Sequence, residues 1–167
     1  MKFLLKILIL GILGCLLMAA PVQATVHVYP ESSTQVMVRS RRSVQDDQQQ
    51  AWQAIVFKRL RSDQTAEMYL RLIAFPGAFD LTHPQALRLR DQQQEWILPD
   101  VTAQDPQLNP VSSEVGQYDL APVMRSLDRP TRLNIEVAGS QGRRWLRVPQ
   151  SVVREWWDIK QWTPPLP

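Results

Sequence analysis

Short runs in which apolar and polar residues alternate constrain this chain more than any other feature. In one such run, Val36 and Val38 fall on one side of an extended backbone, while Arg39 and Arg41 fall on the other. A period of two is typical of a β-strand with one buried face. Because such runs recur along the chain and are separated by turn residues, they predict a mainly β fold, either a β-sandwich or an open barrel.

Polar turns separate the predicted strands. The strands cover residues 35–41, 52–60, 67–75, 86–90, 95–98, 132–137 and 143–148. The last four form two hairpins, which turn at residues 91–94 and 138–142. The pair Pro76-Gly77 ends the third strand, and this dipeptide is typical of a turn.

Two consecutive stretches lack the alternation of strands. Residues 99–116 are rich in Pro, Asp, Asn and Ser, and they predict a long loop. Residues 119–127 predict a short helix, with Asp119 as its cap and Pro122 in its first turn.

The C-terminus predicts an α-helix over residues 151–162, followed by a stiff, proline-rich tail at 163–167. Ser151 is a suitable N-cap residue. Apolar side chains at helical spacing form one face of this helix, and they are Val152, Trp156 and Ile159.

The N-terminus has the pattern of a secretory signal peptide. Lys2 and Lys6 precede an apolar run, and Ala24 ends a cleavage site of small residues. We therefore predict that residues 1–24 are removed and that the mature protein works outside the cytoplasm. A retained membrane anchor and a lipoprotein attached through Cys15 are the two alternatives.

Cleavage after Ala24 would remove Cys15, which is the only cysteine of the chain. The mature protein would then have no disulfide, no thiol nucleophile and no thiolate metal site. Residues 25–167 are enough for one domain with its own core. We expect a single β-rich domain whose stability depends on that hydrophobic core.

Arginine carries almost all the positive charge of the mature chain. Loss of Lys2 and Lys6 lowers the formal net charge from +3 to +1, and fifteen arginines then accompany only Lys58 and Lys160. Arginine binds carboxylates through two hydrogen bonds and stacks on aromatic rings. The arginines are therefore either a solvated surface or a docking face for an anionic partner.

Catalytic and metal-binding patterns are weak in this sequence. The two histidines, His27 and His83, lack the spacing of a metal site. The sequence has neither a Gly-x-Ser-x-Gly motif nor a glycine-rich phosphate loop. We predict no catalytic residue, cofactor or metal, and an enzyme is the less favoured class.

Candidate partner-binding residues come from the polar faces of the predicted strands and from the C-terminal helix. They are Arg39, Arg41, Arg59, Arg61, Arg71, Arg88, Arg90, Trp157 and Trp162. Arginine and tryptophan are enriched where binding energy concentrates in interfaces. We expect the partner to be a protein or an anionic membrane surface, and not a nucleic acid.

Five separated motifs resemble an uncharacterised family of exported cyanobacterial proteins. In chain order they are VRS at 38–40, WQAIVFKR at 52–59, LRLIAFPG at 70–77, HPQAL at 83–87 and VGQYDL at 115–120. The resemblance spans roughly residues 26–157. It implies a cyanobacterial source and a periplasmic or thylakoid-lumen location, and it supplies no catalytic residues.

Three functions fit the sequence. The first is an exported, non-enzymatic protein that binds a membrane-associated complex or assists its assembly. The second is a carrier of a small apolar ligand, such as a lipid or pigment, inside a β-barrel. The third is a hydrolase that uses a pair of carboxylates from among Asp46, Asp47, Asp80, Asp100 and Asp119.

Overall fold

The computed structural model describes residues 27–32, 35–63 and 65–164. The predicted signal peptide and the end of the proline-rich tail lie outside these residues. The described strands are β1 (His27–Ser32), β2 (Gln35–Asp46), β3 (Ala51–Arg61), β4 (Ala66–Ala74), β5 (Leu87–Arg90), β6 (Glu95–Leu98), β7 (Val115–Asp119), β8 (Leu133–Gly139) and β9 (Gly142–Val148). The described α-helices are α1 (Ala121–Ser126) and α2 (Gln150–Gln161).

One antiparallel sheet contains all of these strands. Its order is β6-β5-β8-β9-β2-β3-β4-β7, and β1 pairs with the first half of β2. The segment after β6 reaches β7 through a bridge between Asp100 and Tyr118, and the Val101 N–H donates to the Gln117 carbonyl at 2.8 Å. This contact nearly closes the sheet into a barrel, which confirms the predicted β-rich fold with a C-terminal helix.

Alternating apolar side chains fill the interior of the barrel, as the sequence pattern requires. In β4, Leu70 and Leu72 are fully buried, whereas Arg71 between them points outward. The largest buried side chains include those of Trp52, Phe79, Leu70, Leu89 and Ile135. The arginines therefore lie on the outer surface of most strands because the alternate positions supply the core.

Helix α2 packs against the inward-facing side of β2 and β3. Its buried carboxylate Glu155 accepts hydrogen bonds from Ser40 Oγ at 2.7 Å and from Arg42 Nε at 2.7 and 2.8 Å. Lys58 Nζ donates to the carbonyls of Lys160 and Trp162 at the end of the helix, at 2.9 and 2.8 Å. These bonds fix the middle and the C-terminal end of the helix on the sheet.

The predicted apolar face of this helix is confirmed, since Val152, Trp156 and Ile159 are all buried. The predicted N-cap is wrong by two positions. Pro149 precedes the first turn, and its carbonyl accepts from the N–H groups of Val152 and Val153 at 3.0 and 3.1 Å. Proline starts the helix because its fixed φ angle suits this position and it has no N–H to satisfy.

The predicted long loop at 99–116 contains more structure than its composition indicates. It holds two short 3-10 turns, Thr102–Gln104 and Pro106–Leu108, and its end belongs to β7. Alternation did not reveal β7 because Gly116 and Gln117 are buried without being large apolar residues. The short helix begins later than predicted, at Ala121, whose N–H donates to Asp119 at 2.9 Å.

Candidate functional site

The curvature of the barrel divides the predicted arginines between two outer walls. Arg39, Arg41, Arg59, Arg61 and Arg71 lie on the wall formed by β2, β3 and β4, whereas Arg88 and Arg90 lie on β5. In the sheet, β8 and β9 separate β5 from β2. The arginines thus form two surfaces, and each has a different environment.

On the first wall, two arginines converge on one buried carboxylate. Arg71 Nη2 lies 2.9 Å from Asp105 Oδ2, and Arg59 Nη2 lies 3.6 Å from the same oxygen. Arg71 also donates to Gln117 Oε1 at 3.0 and 2.7 Å. Both guanidinium groups lie over the Phe57 ring, at 5.0 and 5.2 Å. We call Phe57, Arg59, Arg71, Asp105 and Gln117 the Asp105 cluster.

Charge and hydrogen bonding hold the Asp105 carboxylate in its ionised form. Burial acts to raise the pKa of Asp105, but the Gln107 backbone N–H, the Gln117 side chain and the charges of Arg59 and Arg71 outweigh it and lower that pKa. Burial lowers the pKa of Arg71. Because its arginines are mostly covered and bound to the chain's own loop, the cluster fixes that loop on the barrel.

The other arginines of the first wall are more accessible. Arg39 stacks over the Tyr29 ring at 4.2 Å, and Arg61 pairs with Glu67 at 3.3 Å. Arg41 is exposed. Ion pairs as accessible as that of Arg61 contribute little to stability, about 0–1 kcal/mol.

The second wall brings arginines together around a tryptophan. Cross-strand neighbours place Arg88 beside Glu136 and Glu136 beside Trp145. The Arg90 guanidinium lies 4.3 Å from the centre of the Trp145 ring. Arginine stacked in this way keeps its charge while its planar group is held in place.

Further arginines extend this surface. Arg143 and Arg147 are exposed on the same outward face of β9. We call the set Arg88, Arg90, Arg143, Trp145 and Arg147 the Arg-Trp wall. Its arginines outnumber the two glutamates on the neighbouring strands β6 and β8, Glu95 and Glu136, which pair with Arg88 and Arg143 at 3.2 and 2.7 Å. The wall is therefore positive overall, and two acidic side chains lie at fixed positions beside its arginines.

The C-terminal tryptophans are only partly covered. Trp157 and Trp162 both pack against the edge of the hydrophobic core, and Lys160 Nζ lies 4.0 Å from the centre of the Trp157 ring. Among the described residues, the cation–ring contact of Trp157 is with Lys160, whereas the arginine of the Arg-Trp wall that stacks on a ring does so on Trp145. Trp157 and Trp162 belong to the packing at the end of α2.

His83 forms an ordered pair with a buried aspartate. Its Nδ1 lies 2.6 Å from Asp100 Oδ2, and Thr102 donates to Asp100 Oδ1 through both its N–H and its hydroxyl. His83 Nε2 is buried and has no hydrogen-bond partner among the described residues. This pair ties the loop before β5 to the segment that closes the barrel.

The Asp100 pair predicts a pH-dependent stability. Burial acts to raise the pKa of Asp100, but hydrogen bonds from Thr102, His83 and the Gln85 N–H outweigh it and hold the pKa below its ordinary value. The stabilisation is therefore complete above about pH 4 and is lost as the pH falls through the lowered pKa. We expect Asp100→Asn to destabilise the protein at pH 7 and to show a shallower loss of unfolding free energy between pH 4 and 2, measured by urea denaturation. An unchanged acid slope in the variant would contradict this assignment.

The described residues have the features of neither a metal centre nor a membrane-spanning helix. These residues contain no group of three or more His, Cys, Asp or Glu side chains placed to hold a metal ion. The side chain of His27 lies outside the part of the chain that the structure describes. Within the same residues, neither helix combines the length and the apolar character needed to cross a membrane.

The candidate partner-binding residues predicted from the sequence do not include Arg143, Trp145 or Asp105. Trp145 and Arg143 could have been found, because Arg143, Trp145 and Arg147 alternate with Leu146 and Val148 in β9. No alternation in the sequence marks Asp105. It lies in a loop, and its role depends on where that loop folds.

The described residues define a barrel-like antiparallel β-protein with a helix against its inward face and charged outer walls. Residues 24–159 match the family described as "Protein of unknown function (DUF3122)", and the chain belongs to this family. No curated protein and no solved structure matches the chain.

Proposed function

We propose that this protein is an exported, non-enzymatic binding protein of a cyanobacterial periplasm or thylakoid lumen. It docks through the Arg-Trp wall on an acidic protein surface of a membrane-associated complex, and it assists the assembly of that complex. The N-terminal pattern of Lys2, Lys6 and Ala24 supports export. The observation that carries the docking role is the stack of Arg90 on Trp145 among exposed arginines.

The pattern of charges favours a protein partner over a lipid surface. Glu95 and Glu136 lie among the arginines of the wall, at fixed positions set by strand register. An anionic membrane attracts positive charge with little regard to its arrangement, and it repels acidic groups. A protein surface can present both signs in a complementary arrangement, which selects its partner and orientation.

The two other functions that fit the sequence receive less support. The barrel interior is occupied by large buried side chains such as Trp52 and Phe79, which does not favour a carrier of an apolar ligand. Asp46 and Asp47 line one cleft of about 410 Å³, as a carboxylate pair would. However, Asp46 accepts hydrogen bonds from Gln48 N, Gln50 N and Trp52 Nε1, so it stabilises the turn between β2 and β3.

A triple substitution tests the docking role. We expect Arg88→Gln, Arg90→Gln and Arg147→Gln together to reduce recovery of the partner about tenfold, because several charge-assisted contacts are lost at once. The measurement is quantitative mass spectrometry after mild crosslinking, detergent solubilisation and capture of tagged protein at native level from its own organism. Circular dichroism would verify the fold of the variant.

The matched control replaces three exposed arginines outside the Arg-Trp wall with glutamine, namely Arg61, Arg129 and Arg154. The control variant should recover the partner within about twofold of the unsubstituted protein. The reason is that loss of three positive charges elsewhere removes no contact of the Arg-Trp wall. Equal losses in both variants would overturn the role of the wall. Binding to phosphatidylglycerol vesicles without protein, abolished by the first triple substitution, would instead identify a lipid surface and reject the protein partner.

A further inference from the structure

A small cleft with a cationic rim lies between α1 and the end of α2. Its volume is about 180 Å³. Lys58, Arg125 and Lys160 line it together with Met68, Met124 and two alanines. None of these lining residues is acidic, so the cleft combines an apolar floor with three positive charges.

Backbone contacts hold the cleft in shape. Lys58 and Met68 are cross-strand neighbours in β3 and β4, so the floor belongs to the sheet. The Leu120 N–H donates to the Met68 carbonyl at 2.9 Å, which fixes the start of α1 beside β4. Lys58 Nζ bonds to carbonyls at the end of α2. The site is therefore formed before any ligand enters.

The positive charge of the cleft is not balanced by any acidic residue of its lining. The C-terminal end of a helix carries about half a negative charge, which offsets only part of the charge of Lys58. Lys160 lies over the Trp157 ring, and an aromatic ring attracts the ammonium group without neutralising it. Burial also lowers the pKa of Lys58, so a carboxylate nearby would stabilise its charged form.

We propose that this cleft binds a small organic anion, namely a carboxylate with a short aliphatic chain. The chain contacts Met68 and Met124, whose flexible thioethers adapt to apolar groups, and the carboxylate lies among Lys58, Arg125 and Lys160. The small volume favours short chains, because pockets for larger ligands hold about 300–1,000 Å³. This site is independent of the Arg-Trp wall and does not rest on the docking function.

Hexanoate is the probe for this site, and methionine methyl groups report its position. We expect saturable shifts of the Met68 and Met124 ¹³C-methyl signals during titration of the full mature protein. The methyl group of Met37 should stay unchanged, since it lies outside the lining of the cleft. Hexanol has the same chain without the charge, and it should bind at least about fivefold more weakly.

Substitution of the two rim cations at the helices tests the charge directly. Arg125→Gln with Lys160→Gln should weaken hexanoate binding about fivefold or more, whereas the control Arg154→Gln on the exposed side of α2 should not. Lys58 is left intact because it also holds the end of α2. Equal binding of hexanol, equal shifts of Met37 or unchanged affinity in the double variant would each overturn the proposal.

Discussion

Replacing Asp105 with alanine is expected to lower the free energy of unfolding by about 3–5 kcal/mol, which is the cost of removing one partner from a buried ion pair. The Asp105 side chain is only 2% exposed, and it lies within ion-pair distance of both Arg59 and Arg71. Its removal leaves two guanidinium groups close together without their shared counter-ion. Chemical denaturation would measure the loss, and the melting temperature should fall by roughly 10–20 °C.

The control for this experiment is Asp128→Ala, because Asp128 is exposed and its loss should change the free energy by about 0.5 kcal/mol or less. A double-mutant cycle with Arg71→Met separates the ion pair from other effects, and its coupling energy should reach about 1–3 kcal/mol. A loss below about 1 kcal/mol for Asp105→Ala would show that the cluster does not hold the loop.

Replacing Trp156 with alanine should cost about 3–5 kcal/mol, as expected when a large aromatic side chain is removed from a core. Trp156 is 0% exposed, and it lies on the buried face of α2. Its loss leaves a cavity where the helix meets the sheet. Urea denaturation followed by circular dichroism would measure the change.

Trp156→Phe should cost clearly less than the alanine variant. A phenyl ring fills most of the space, and it removes an indole N–H that has no hydrogen-bond partner among the described residues. Trp145→Ala on the Arg-Trp wall is the control, with an expected loss of about 1 kcal/mol or less, because Trp145 is only partly buried. Similar losses in all three variants would show that burial of Trp156 is not the cause.

Local pattern predicted the elements of this fold better than their arrangement. Alternation located β3, β4, β8 and β9, since each has one face in the core. It missed β1 and β7. β1 contains Pro30, and the interior positions of β7 include Gly116, so neither has the apolar pattern of a strand.

The candidate sites depended on long-range placement, which the sequence does not encode locally. Arg71 and Arg90 have the same pattern of alternation, yet Arg71 is bound to Asp105 and Arg90 is exposed beside Trp145. The difference arises from a loop 34 residues away from Arg71 along the chain. Only the fold of that loop distinguishes a structural arginine from an accessible one.

The two ends of the described chain leave the barrel from the same region. His27 pairs with Arg39, which pairs with Phe57, and the carbonyl of Trp162 bonds to the neighbouring Lys58. Adjacent strands lie about 5 Å apart, so the two exits are separated by roughly 10–15 Å. β9 meets β2 at Gln45 and Asp46, which lie at the opposite end of β2. A purification tag or fluorescent fusion at the C-terminus would follow Pro164, two residues after Trp162, so it would be attached beside Lys58 of β3 and not beside β9.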